Sequence, residues 1–203
     1  MTDSSRSLET LEIVGGALCL DFVNTINSRL EPEHDYLVQY SDLVEWANKV
    51  GILSRAQTDK LQKQAEQNRG EAEGAFRIAQ TLRELLYRLF SNTTKVSEPN
   101  QKDMETFIAF YAEAISHGQF VKKDQSYATS WRVDEEFESV LWPVIYSAGE
   151  LLLSNELAHV KECPGCGWLF LDTSKNQSRR WCSMNTCGAR DKMRRYHRKR
   201  RTQ

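Results

Sequence analysis

No apolar run in this 203-residue chain approaches the roughly 18 residues that a membrane-crossing helix needs. The first ten residues, MTDSSRSLET, are polar and lack the apolar centre of a secretory signal. There is no internal repeat, no low-complexity tract outside the basic tail, and no His–carboxylate motif suited to acid–base chemistry. These absences argue against a membrane protein, a secreted protein and an enzyme, and lead to the expectation of a cytoplasmic, non-catalytic chain. Cysteine is scarce as well, with five in all. Cys19 sits alone in an apolar run and reads as a core residue. The other four crowd together near the C-terminus, which in a reducing compartment favours a metal over disulfides.

What is present is divided unevenly along the chain. The formal net charge is only -1, but Lys161 to Gln203 holds 12 Lys/Arg against 3 Asp/Glu. That segment is therefore at +9 and the remaining residues at -10. A short basic segment on an acidic body points to a polyanion as the partner of that segment. The length suits one large or two modest domains, with enough residues for a real core. We place the boundary near His159–Lys161, giving residues 1–160 as a helical effector or dimerisation domain and 161–203 as a small module.

The pattern predicts a mainly α body. The apolar run Ala17 to Ile26 reads as a buried helix, although its length also allows a strand. A loop around Pro32 follows, then a helix capped by Ser41 and ended by Gly51. Ser54 and Gln57 form a capping-box pattern opening a polar helix to about Asn68. From Ala75 to Phe90, Ile78, Leu82, Leu85, Leu86 and Leu89 share one helical face. Met104, Phe107, Ile108, Tyr111 and Ile115 mark the next helix. Phe120 to Val133 has the composition for two short strands. A long helix is expected from Glu135 to Val160, with Pro143 either kinking it or marking a restart, and would feed directly into the C-terminal module.

Cys163, Cys166, Cys182 and Cys187 have the spacing of a zinc site: C-x2-C, an insert, then C-x4-C. Pro164 and Gly165 supply the tight turn that brings two thiolates to one ion, and Gly167 lets the backbone fold around it. The insert fits a hairpin, with Trp168–Leu171 running out and Arg179–Cys182 returning. Cys187 then falls at the start of the last helix, whose dipole favours a thiolate. Knuckle, hairpin and helix make a treble-clef-like module around one structural Zn2+, because four thiolates leave no open position for catalysis. Trp168, Phe170 and Trp181 read as its small core, and Asp172 as half of an ion pair with a nearby arginine.

The last segment, GARDKMRRYHRKRRTQ, reads as a basic helix. Ala189, Met193 and Tyr196 form a narrow stripe suited to packing on the hairpin. Arg190, Lys192, Arg194, Arg195, Arg198, Lys199, Arg200 and Arg201 cover much of the rest, and Lys175, Arg179 and Arg180 add charge from the hairpin. Such a helix fits a DNA major groove and can grip phosphates. The expected partner is nucleic acid, duplex DNA first, with RNA served by the same charges. A homodimer matching two half-sites is a further expectation. In the N-terminal run, Asp21, Asn24 and Thr25 are polar groups among apolar ones. They either line a pocket for a small-molecule effector or satisfy buried backbone groups.

Four stretches bring in a family. Cys163-Pro-Gly-Cys166-Gly-Trp-Leu-Phe-Leu-Asp-Thr-Ser174, Arg179-Arg-Trp-Cys-Ser-Met184 and Cys187-Gly-Ala-Arg190 resemble the CGNR zinc finger. Gly16-Ala-Leu-Cys-Leu-Asp-Phe-Val-Asn-Thr25 resembles the opening of the ABATE domain that accompanies it. The resemblance implies a bacterial stress-induced transcriptional regulator whose finger binds DNA or, in the alternative, RNA. One residue departs: Ala189 stands where the family motif has asparagine, so any contact made by that amide is missing here.

Overall fold

A computed structural model describes residues 7–31, 34–95 and 97–201, without the side chains of Lys199 and Arg201. The polar first six residues and Pro32, the expected centre of a loop, lie outside the described residues. The body is helical: α1 (Leu18–Val23), α2 (Tyr40–Lys49), α3 (Arg55–Gln67), α4 (Arg69–Thr94), α5 (Gln101–Ser116) and α6 (Trp142–Leu153). An antiparallel hairpin, β1 (Gln119–Lys123) with β2 (Ser126–Ser130), stands between α5 and α6. A second antiparallel pair, β3 (Val160–Glu162) with β4 (Leu169–Leu171), frames the cysteine knuckle, and α7 (Ala189–Arg201) ends the described chain.

Local chemistry explains most boundaries. Ser54 caps α3 by accepting from the Gln57 amide, while the Gln57 side chain accepts from the Ser54 amide, as the pattern predicts. Gly51, at φ +81, takes the left-handed turn after α2 that other residues resist. Helix α4 is longer than its apolar stripe, because the polar residues at both ends continue it. Its Leu82, Leu85, Leu86 and Leu89 are buried at the centre of the core, whereas Ile78 is 37% exposed. Of the α5 stripe, Phe107 is buried and Ile108 and Ile115 face outward.

Two expected helices are corrected. The apolar run from Ala17 to Ile26 forms only the short α1, since Asn24 and Thr25 turn their side chains to other partners. Beyond it, Ile26 bridges Asp35 and Tyr36 donates to the Thr25 carbonyl. The long helix from Glu135 to Val160 is not one helix. A 3-10 turn over Phe137–Leu141 leads into α6, and Pro143 sits in its first turn, where a missing N–H costs nothing. At the other end Ser154 accepts from the Glu156 amide and caps a second 3-10 turn, Asn155–His159. The chain therefore enters the cysteine module through a turn and a strand, so α6 is no rigid lever on it.

One apolar core runs through all these parts, from Leu20, Phe22 and Trp46 to Trp168, Leu169 and Phe170. Arg83 of α4 crosses its edge, nearly buried, and holds Asp35 with two bonds of 2.7 and 2.5 Å while donating to Thr25 Oγ1. The loop after α1 is thereby tied to α4.

Candidate metal centre and nucleic-acid interface

The knuckle is built by backbone hydrogen bonds. Cys163 donates to the Trp168 carbonyl at 2.8 Å, and the Gly167 amide donates to the Cys163 carbonyl at 2.8 Å. Gly167, at φ +73, is the residue that lets the strand double back. It is also pressed against Arg29: a Cβ there would stand 2.6 Å from Arg29 Cβ. The strand entering the knuckle is β3, and it pairs with β4. This corrects the expected hairpin of Trp168–Leu171 with Arg179–Cys182. The return segment is not a strand and is fixed by side chains instead. Cys187 lies in a π-helical turn, Met184–Gly188, that runs directly into α7.

All four cysteines are buried, and their sulfurs lie within 4.8 Å of one another. Cys166 Sγ and Cys182 Sγ are 3.5 Å apart, and Cys182 Sγ and Cys187 Sγ 3.8 Å. Four thiolates bound tetrahedrally at about 2.3 Å from zinc would stand about 3.8 Å apart. The donor set, the burial and the spacing therefore fit one zinc ion. Cys19 is remote, with its thiol pushed up to about 12, chiefly by burial. It stays neutral in the core.

Around the centre, ionic groups hold the loops. Lys161 Nζ lies 2.6 Å from Asp172 Oδ2. Burial opposes ionisation of Asp172, but Lys161 and the Ser174 hydroxyl and amide hold it well below the usual carboxylate range. Its ion-pair partner is thus a lysine, while Arg179 supplies only its backbone amide at 2.9 Å. The Arg179 side chain turns inward. It lies over the Phe170 ring and donates to the Trp181, Cys182 and Val14 carbonyls. Arg180 stays exposed over Trp181, and Lys175 is exposed. Trp168 and Phe170 are buried, in keeping with a role as core.

Helix α7 carries the densest charge. Arg190, Lys192, Arg194, Arg195, Arg198 and Arg200 are all exposed, and Arg195 pairs with Asp191 at 3.0 Å. The stripe expected to pack on the hairpin does not do so. Met193 is 60% and Tyr196 57% exposed, with Arg200 and His197 against the tyrosine ring. The helix stands clear because its only apolar residues are few and its charged ones are better hydrated outside.

The docking of the module on the body was the part hidden from sequence reasoning. Asn24 receives the Leu169 amide at 3.0 Å and donates to its carbonyl at 2.8 Å, like a backbone partner to β4. Trp168 Nε1 donates to the Ile26 carbonyl, the Arg29 amide to the Cys166 carbonyl, and Glu12 accepts from Ser183 and Thr186. Arg29 also bonds Glu84 and the Val23 carbonyl and lies over Tyr87. Asp21 accepts from the Gly15 amide at 2.7 Å, and Thr25 donates to the Phe22 carbonyl. Asp21, Asn24 and Thr25 are thus brought together in the interior, each bonded within the protein. No short-range pattern marks contacts between residues more than a hundred positions apart.

A helical body carrying a four-cysteine zinc finger and a basic helix defines the class of protein. Comparison with family models agrees at both ends. Residues 16–155 match ABATE, described as "Putative stress-induced transcription regulator", and residues 159–201 match the CGNR zinc finger. The chain belongs to the ABATE family and carries the CGNR finger. No curated protein matches it.

Proposed function

We propose that this protein is a cytoplasmic, non-catalytic transcriptional regulator that binds duplex DNA through residues 161–203. In this reading the finger is a treble-clef-like module, its zinc is structural, and residues 1–160 form the effector or dimerisation body. The observation that carries the reading is α7: six exposed basic side chains on a helix whose first turn continues from the ligand Cys187. A metal-ordered turn fixes the direction of a cationic helix of groove-fitting diameter. Arg190, Lys192, Arg194, Arg195, Arg198 and Arg200 supply the phosphate contacts, with the exposed Lys175 and Arg180 adding charge from the loop before Cys182. Lys199 and Arg201 add two more charges by sequence. Arg179 serves the fold of the finger. Ala189 supplies no side-chain hydrogen bond, so base readout falls to its neighbours. Asp21, Asn24 and Thr25 serve the interior, and a small-molecule effector would bind elsewhere on the body.

The test is binding of labelled duplex DNA by the zinc-loaded chain, its chelated form and Cys182→Ser. Saturable binding that is lost on chelation and in the variant is expected. Equal binding by the reduced, metal-free protein would contradict the zinc-ordered helix. A strong preference for structured RNA in competition would move the reading to an RNA-binding or ribosome-associated protein.

A further inference from the structure

On the body a groove opens between α4 and the 3-10 turn that precedes α6. Ile78 and Phe137 form its apolar floor, and Glu71, Glu135, Glu136 and Glu138 line its walls. Its volume is about 480 Å³. Past Ile78 it adjoins a second hollow of about 210 Å³, floored by Trp142 and Ile145 and edged by Glu113 of α5. At the rim Arg132 pairs with Glu135, the His117 ring is hydrogen-bonded to Glu113, and the Arg77 guanidinium comes up beside Gly74; among the described residues no lysine or arginine is among the groups lining either hollow beside Glu71, Glu136 and Glu138.

Apolar floors and carboxylate walls suit a ligand that is apolar along one line and cationic on both sides. The chain itself carries such a surface. Along α7, Met193 and Tyr196 lie one turn apart and exposed. Lys192, Arg194 and Arg195 flank them. The segment's +9 meets the body's -10. Helix α7 packs chiefly on the π-turn that carries Cys187, and none of its residues lines the groove. We propose that the groove receives α7 of a second copy of this chain. Tyr196 and Met193 seat against Ile78 and Phe137, and the flanking cations face the glutamates. Because each copy has one groove and one α7, reciprocal exchange closes a two-fold dimer. The pairing is charge-dominated, so it weakens with salt. It rests on the groove and the helix alone; because the same cations are proposed to meet phosphates, the dimer and a duplex would compete for α7.

The experiment is sedimentation of the full, zinc-loaded chain at low and high ionic strength. Three surface variants accompany it: Tyr196→Glu, the helix pair Lys192→Glu/Arg194→Glu, and the groove pair Glu71→Lys/Glu136→Lys. Melting temperature and zinc content confirm that each variant remains folded. A dimer at low salt that dissociates at high salt is expected, with each variant weakening it by about tenfold or more. Mixing the helix pair with the groove pair should restore a mixed dimer, since the reversed charges again oppose. A chain that stays monomeric at low salt overturns the proposal. So does a dimer that neither pair weakens, or a groove that takes up a small organic cation while the chain remains a monomer.

Discussion

At Asp21 burial and hydrogen bonding pull in opposite directions. Desolvation raises its carboxyl from 3.8 to about 6, against the lowering effect of the Gly15 and Val14 amides. The folded protein thus holds this proton more tightly than the unfolded chain. The resulting stability is present in full below the ordinary value and is lost as pH rises through about 6. Carbon NMR of the Asp21 side chain should show a midpoint near 6, and thermal stability should carry a falling component across the same window. A midpoint at the ordinary carboxylate value would contradict the burial argument. The same residue shows why a polar group in an apolar run is hard to assign. Its type is compatible with a ligand pocket and with an internal cap, and nothing in its own run shows that the Gly15 amide will meet it.

Among elements, short-range rules were legible and pairings were not. The Ser54–Gln57 box, the C-x2-C knuckle and the leucine face of α4 each follow from residues a few positions apart, and the structure contains all three. The partner of β4 did not follow. Val160–Lys161–Glu162 is too short for a two-residue period to show, and its pairing is imposed by the knuckle that closes it. Pro143 was visible, but whether it kinks a helix or begins one depends on the 3-10 turn before it. The dock between α1 and β4 was equally hidden, since an asparagine gives no sign that it will pair with a strand. Its removal is informative for that reason. Asn24→Ala leaves the buried N–H and C=O of Leu169 without their partner. Denaturant unfolding should show a loss of about 2–4 kcal/mol. A change near zero would mean that the finger does not lean on the body at this point.

In the whole molecule, charge and metal are segregated. The acidic helical body holds the core, the zinc centre sits at its edge, and the basic helix extends from that centre. The opposite charges of the two segments were plain in the sequence, whereas the exposure of Met193 and Tyr196 was not. An apolar stripe on a helix normally implies packing, but two side chains offer too little area to hold down a helix this charged. The cysteine centre was the most legible feature, because ligand spacing is a local property. The account turns on whether α7 meets phosphates. The most direct measurement is duplex affinity against salt concentration for the zinc-loaded chain and for Lys192→Ala/Arg194→Ala. The account predicts a steep linear fall of log K with log salt, and a slope shallower by about 1.8 when two phosphate contacts are removed. A slope near zero, or one that the double substitution leaves unchanged, would contradict it.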